Sequence, residues 1–188
     1  MKNRYLNTLR AGVALLLGTA AAHAATYTVT AGSVSSLQNA LNSAVAGDTI
    51  SLPAGTWNLT SGLSTVRSGS SGKYITIDGA GNSTILKLTA ASGSVFKIGH
   101  SYIRLKDMFL HANNLGTKGL LIEGASHGYV TNVTVDYSKN EAFKIRKNSQ
   151  YWEFLNCQAK HPGASGLGYG EGFYVSDADQ NWTVTPDN

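Results

Sequence analysis

An apolar–outward–apolar triplet returns six times along the chain, as Ile50/Leu52, Ile75/Ile77, Phe96/Ile98, Leu120/Ile122, Phe143/Ile145 and Phe173/Val175. The second members stand 25, 21, 24, 23 and 30 residues apart. Each triplet has the period-two alternation of a strand with one buried face. One strand per repeat of this length predicts stacked parallel strands, a β-solenoid of about six rungs. Equivalent residues of successive rungs then line up in ladders along the axis.

The chain before the first triplet predicts a cover for that stack. Thr26 to Thr30 alternates as a strand, and Ser36 to Val45 reads as one amphipathic helix with Leu37, Leu41, Ala44 and Val45 on its apolar face. Ser35-x-x-Gln38 has the spacing of a capping box, and Ala46-Gly47-Asp48 stops the helix. A helix laid over the open end hides apolar surface and an unpaired strand edge.

A second strand aligns within the later repeats. Asp107-Met108-Phe109-Leu110, Asn132-Val133-Thr134-Val135 and Asn156-Cys157-Gln158-Ala159 superpose at spacings of 25 and 24. Met108, Val133 and Cys157 point inward there, as do Leu110, Val135 and Ala159. Asp107, Asn132 and Asn156 precede these strands at equivalent places and predict a ladder of stacked turn side chains, a structural role. Trp182/Val184 begins a second strand of the last repeat, and the sequence stops in mid-turn at Pro186-Asp187-Asn188. It therefore reads as the N-terminal portion of a longer protein.

Composition agrees with many short strands and tight turns: 21 Gly and 3 Pro in 188 residues. The single cysteine, Cys157, excludes an internal disulfide and reads as a small inward residue. Lys2, Arg4 and Arg10 precede an apolar stretch from Ala11 to Ala22, and Ala22-His23-Ala24 has a small-x-small cleavage pattern. Residues 1–24 thus predict a signal peptide, residues 25–188 a secreted β-helix domain, and no membrane span remains after removal. Without those three basic residues the formal charge falls from +4 to +1. No basic patch points to nucleic acid. A monomer is expected.

Candidate chemistry lies on the outward ladder. Its middle positions are Ser51, Thr76, Lys97, Leu121, Lys144 and Tyr174; the next outward positions are Pro53, Asp78, Gly99, Glu123, Arg146 and Ser176. Charge gathers on the later rungs. Arg146 has the planar fork that matches a carboxylate. Lys144 is placed to act as a base if neighbouring cations lower its pKa. Tyr174 could stack on a sugar or donate a proton, and Lys97 and Glu123 flank them. An ordinary ion pair between Glu123 and Arg146 explains the same residues without substrate. The 30-residue repeat carries a glycine-rich excursion with His161, Tyr169 and Glu171, a position where solenoids often place binding loops. Glu171, Asp177 and Asp179 are oxygen ligands available to Ca²⁺.

Ser36 to Trp57, which runs through Leu37-Gln38-Asn39-Ala40-Leu41 to Pro53-Ala54-Gly55-Thr56, resembles the N-terminal cap and first turn of right-handed parallel β-helix proteins of the pectate-lyase type. Gly170-Glu171-Gly172-Phe173-Tyr174-Val175, followed by Asn181-Trp182, is similar to a segment of secreted β-helix proteins grouped with polysaccharide lyases. The resemblance covers residues 30 to 188. It implies an all-β fold, a right-handed parallel β-helix with an N-terminal amphipathic capping helix. It also implies an enzyme cleaving an acidic polysaccharide by β-elimination, often with Ca²⁺. A Lys or Arg on the groove-facing sheet is the usual base of such enzymes, and no Asp-rich metal cluster of the usual kind is present here. Lys144 and Arg146 are the catalytic candidates; Lys97, Glu123, Tyr174, His161, Tyr169 and Glu171 are the substrate-binding candidates. A non-catalytic carbohydrate-binding or cell-surface β-helix stays open beside the lyase, because this fold hosts both.

Overall fold

The computed structural model describes residues 24–166 and 170–176. The predicted signal peptide up to residue 23, Tyr169, Asp177, Asp179 and Trp182/Val184 lie outside the described residues. Among the described residues, no helix is long and apolar enough to cross a membrane.

The chain winds as a parallel β-helix with three strands in each full coil. The first face stacks Thr26–Thr28, Thr49–Ser51, Ile75–Asp78, residues 103–106, residues 128–131 and Trp152–Leu155. The second stacks Gly55–Leu59, Thr84–Leu88, residues 108–111, residues 133–136 and Gln158–Lys160. The third stacks Leu63–Ser64, Ser92–Ile98, Gly116–Glu123, Phe143–Arg146 and Phe173–Val175. Every one of these pairings is parallel.

This topology corrects the six-rung series. Ile50/Leu52 and Ile75/Ile77 belong to the first face, whereas Phe96/Ile98 and the later doublets belong to the third. Ile75/Ile77 and Phe96/Ile98 are two sides of one coil, so the six doublets describe five coils. The 21-residue step is the one that crosses between faces. Ser51 and Thr76 therefore do not extend the Lys97 ladder, and Pro53 and Asp78 do not extend the Glu123 ladder. Ser64 precedes Lys97 in register, and Asp78 pairs with Lys106.

Inward residues of all three faces fill one core. Ile50, Ile77, Leu105 and Val130 come from the first face, Trp57, Leu86, Leu110 and Val135 from the second, and Phe96, Ile122 and Phe143 from the third. All are fully buried. Burying a side chain of this class contributes about 1.5–3 kcal/mol. In the last described coil Phe173 and Val175 stay exposed, although Phe173 stacks on Phe143 at 4.3 Å between ring centres.

The capping helix runs Val34–Ser43, two residues earlier than the pattern suggested. Its N-cap is Ser33, whose Oγ accepts from the Ser36 N–H at 3.2 Å. Gln38 does not close a capping box; its side-chain amide donates to Asn42 Oδ1. Leu37, Ala40, Leu41 and Ala44 join the core, while Val45 lies exposed beyond the helix. Asp48 holds the exit, accepting from Val45 N–H and Ala25 N–H. The initial strand ends at Thr28 rather than Thr30.

The predicted turn ladder forms. Asp107, Asn132 and Asn156 have φ of 57°, 54° and 52°, the left-handed region that Asn and Asp tolerate best among residues with a Cβ. Asn132 Nδ2 donates to Asp107 Oδ1 at 2.7 Å, and Asn156 Nδ2 donates to Asn132 Oδ1 at 3.3 Å. This single-residue corner turns the first face into the second. Cys157 follows it, half-buried against the core, with its thiol donating to Val130 O; burial pushes that thiol's pKa up.

Candidate functional site

The outward surface of the third face collects most of the candidates. Backbone register sets Lys97, Leu121, Lys144 and Tyr174 side by side on successive strands. The same register sets Glu123 beside Arg146. Neighbouring strands repeat at about 4.8 Å, and two residues along a strand cover about 6.6 Å, so these charges share one small surface.

Two ion clusters organise it. In the first, Glu123 is the hub. Arg146 Nε and Nη2 both donate to Glu123 Oε1, at 3.0 and 2.7 Å. Lys147 Nζ stands 2.8 Å from the same oxygen. Lys97 Nζ meets Oε2. Burial works to raise the Glu123 pKa, but hydrogen bonds from Lys147, Lys97 and Arg146 outweigh it and hold it at about 2. One carboxylate therefore serves three cations. A shallow cleft lined by Arg146, Asn148, Ser149, Gln150 and Ser176 opens beside it.

In the second cluster, Glu141 bridges two lysines: Lys118 Nζ at 3.4 Å from Oε2 and Lys144 Nζ at 3.8 Å from Oε1. The Lys144 and Glu141 side chains are only 5% and 9% exposed. Among the described residues, Glu141 Oε2 finds no hydrogen-bond donor. Lys144 Nζ also lies over the Tyr174 ring, 3.3 Å from its centre, a cation–π contact. Glu171 stands at the rim. Hydrogen bonds from the Gly170 N–H and from its own N–H lower its pKa, burial opposes them, and the Lys144 charge reinforces the lowering.

The structure thus brings together Lys97, Glu123, Lys144, Arg146, Tyr174 and Glu171. It does not bring His161 to them. His161 leaves the second face, stacks on Tyr137 at 4.7 Å and places Nδ1 2.9 Å from Asp136 Oδ1. Lys118, Glu141 and Lys147 are members that the sequence reading missed. Lys118 and Glu141 had a signal: like Glu171, each stands two residues before the first apolar member of its doublet, Leu120 or Phe143.

Among the described residues, no group of three or more His, Cys, Asp or Glu is close enough to hold a metal ion. A Ca²⁺ site built on carboxylates needs such a group, and the described residues do not form one.

A parallel β-helix with three strands in each full coil defines a pectate-lyase-like fold, and here its outward third face carries five cations around three carboxylates. The chain belongs to the Pel9A-like right-handed β-helix family, whose helix region matches residues 18–177. Among solved structures, an alginate lyase from Paenibacillus sp. str. FPU-7 is similar with a TM-score of 0.78 and 23% identity, over 87% of this chain and 54% of that one. ORF18 of Geobacillus virus E2 follows with a TM-score of 0.61 and 18% identity, over 81% and 33%. The PL6 family alginate lyase AlyGC has a TM-score of 0.56 and 16% identity, over 81% and 26%. The chain thus spans about half the length of the first of these and less of the others. A search of curated protein sequences gives no match.

Proposed function

We propose that this protein is a secreted polysaccharide lyase that cleaves a uronate polymer by β-elimination on the outward third face. The observation that carries the proposal is the surplus of fixed positive charge there: Lys97, Lys118, Lys144, Arg146 and Lys147 against Glu123, Glu141 and Glu171. Such a surface concentrates a polyanion and steers its approach.

Elimination needs the uronate carboxylate neutralised, the C5 proton removed and the glycosidic oxygen protonated as it leaves. Arg146, with Lys97 and Lys147, is the natural carboxylate partner, since Glu123 offsets only one of their three charges. Lys144 is the base: it releases its proton to solvent as substrate docks, takes the C5 proton and so returns to the ammonium that Glu141 and the Tyr174 ring hold in the free protein. Tyr174 is the group in reach of that centre to stack on a sugar or protonate the leaving oxygen. Alginate is the first substrate to test, because two of the structural neighbours are alginate lyases.

The test incubates the whole protein with alginate, polygalacturonate and a glycosaminoglycan, each with and without Ca²⁺, and follows the ultraviolet absorbance of the unsaturated uronate product. Absorbance should rise on at least one polymer and disappear in Lys144→Ala. No rise on any of them would remove the lyase reading and leave a non-catalytic carbohydrate-binding β-helix.

A further inference from the structure

The described residues include three arginines, and two are spent on partners. Arg146 is paired with Glu123, and Arg67 donates to Asn42 O. Arg104 differs. It is exposed on the outward side of the first face, and among the described residues no carboxylate or carbonyl pairs with it. It is nevertheless held in place. Its Cζ lies 4.5 Å from the centre of the Tyr74 ring and 5.2 Å from that of Tyr129. Two aromatic neighbours fix the guanidinium and leave its N–H edge unspent.

The surroundings extend this aromatic surface along the axis. Tyr74 packs edge-on against Tyr129 at 5.4 Å and against Tyr102 at 5.7 Å. Tyr102, His127 and Tyr151 then stack at 4.9 and 4.6 Å on successive corners. Tyr151, the last of them, is 70% exposed. In register across the face, the row reads Thr76, Arg104, Tyr129, Glu153. Glu153 is two strands from Arg104, about 9.6 Å at the usual strand spacing. Lys106, two residues along, is already engaged by Asp78 and Asp107 at 3.1 and 3.2 Å.

We infer that Arg104 and its tyrosines form a second carbohydrate site, on the first face, that takes the carboxylate of an acidic sugar. The guanidinium fork receives the carboxylate through two parallel N–H···O bonds, and the flanking aromatic surface packs against the apolar side of a pyranose ring. Such a site lies on a different side of the coil from the third-face cluster. It would tether a long polymer rather than act on it. The choice of an acidic sugar as ligand rests on the polyuronate reading of the third face.

The experiment separates the two. Binding of alginate oligosaccharides to the whole protein is measured by calorimetry in a Lys144→Met/Arg146→Ala background, which removes two of the five third-face cations, with and without Arg104→Ala and Arg104→Lys. Residual binding should persist in the background and weaken about tenfold in Arg104→Ala, the factor that corresponds to about 1.4 kcal/mol. Arg104→Lys keeps the charge but not the fork, and should fall between. No residual binding in the background, or residual binding that Arg104→Ala leaves unchanged, overturns the inference. So does equal affinity for neutral dextran. If the background binds and turns over alginate as the parent does while Arg104→Ala weakens binding, the first-face site stands and the third-face reading fails. Should the background not fold, the parent and Arg104→Ala are compared in the same titration, and equal affinities overturn the inference.

Discussion

Glu123 and Glu141 sit on the same face and each gathers lysines, yet they are opposite solutions to one problem. Glu123 has both oxygens occupied by three cations and a pKa held at about 2. Its partners remain between 28% and 42% exposed, so water shares the surplus charge. Glu141 is buried with Lys144, its contacts are longer, and one oxygen finds no hydrogen-bond donor among the described residues. A saturated, half-solvated cluster contributes modestly and tolerates change. An under-satisfied buried cluster is sensitive to every change, because a charge left there has no water to turn to.

The largest effect should come from breaking the buried cluster. Glu141→Gln leaves two ammonium groups against a neutral amide and should cost about 3–5 kcal/mol in urea unfolding. Replacing the pair together, Glu141→Leu with Lys144→Met, should recover more than half of that loss. A single Glu141→Gln loss below about 1 kcal/mol would show that the burial contrast between the two clusters is illusory.

The next effect is a pH dependence that belongs to Glu123. Its folded pKa is about 2 against an ordinary 4.5. A depressed carboxyl pKa contributes stability that is fully present above the unfolded value and is lost as pH falls through the folded one. The difference in melting temperature between the parent and Glu123→Gln should therefore be widest above pH 4.5 and close as pH approaches 2. A constant difference across that window would mean that the ion cluster does not stabilise the fold.

The ladder Asp107–Asn132–Asn156 gives a third case, in which Asn132 donates to the Asp107 carboxylate and Asn156 donates to Asn132. Asn132→Ala keeps a Cβ at φ 54° and loses both ladder bonds. It should cost about 1–2 kcal/mol, the usual penalty of the left-handed conformation, with the ladder loss on top. Asn132→Gly relieves the backbone part and should be milder; equal losses would place the whole effect in the side-chain ladder.

That ladder was legible in the sequence, and the charged clusters were only half legible, for a physical reason. A corner that needs φ > 0 selects Asn or Asp at a fixed spacing, so Asp107, Asn132 and Asn156 align by themselves. Inward alternation is the same on every face of a solenoid, so it announces strands without saying which face they join. Ile77 and Ile98 look equivalent for that reason and lie on different sides of one coil. Only the pairing register distinguishes them, and register depends on turn lengths between coils. Lys118 and Glu141 share a fixed place two residues before their triplets, but just outside the alternation that place marks them as equivalent without giving the direction of their side chains. His161 sat in a loop whose course no periodicity fixes, and it joined Tyr137 and Asp136 on the other side of the coil.

The smallest effect is the most discriminating one for function. Lys97 is 39% exposed and is one of three cations on Glu123. Losing it should change stability by about 0–1 kcal/mol, less at high salt, because Arg146 and Lys147 keep the carboxylate paired. If its charge serves only that pair, Lys97→Ala leaves turnover of a polyuronate unaltered. If the surplus charge of the cluster holds substrate carboxylates, the variant should raise KM severalfold with kcat nearly constant, since binding that is uniform between ground and transition state moves KM alone. A fall in kcat at unchanged KM would instead put Lys97 in contact with the reacting centre, and the division of labour between the Glu123 and Glu141 clusters would have to be redrawn.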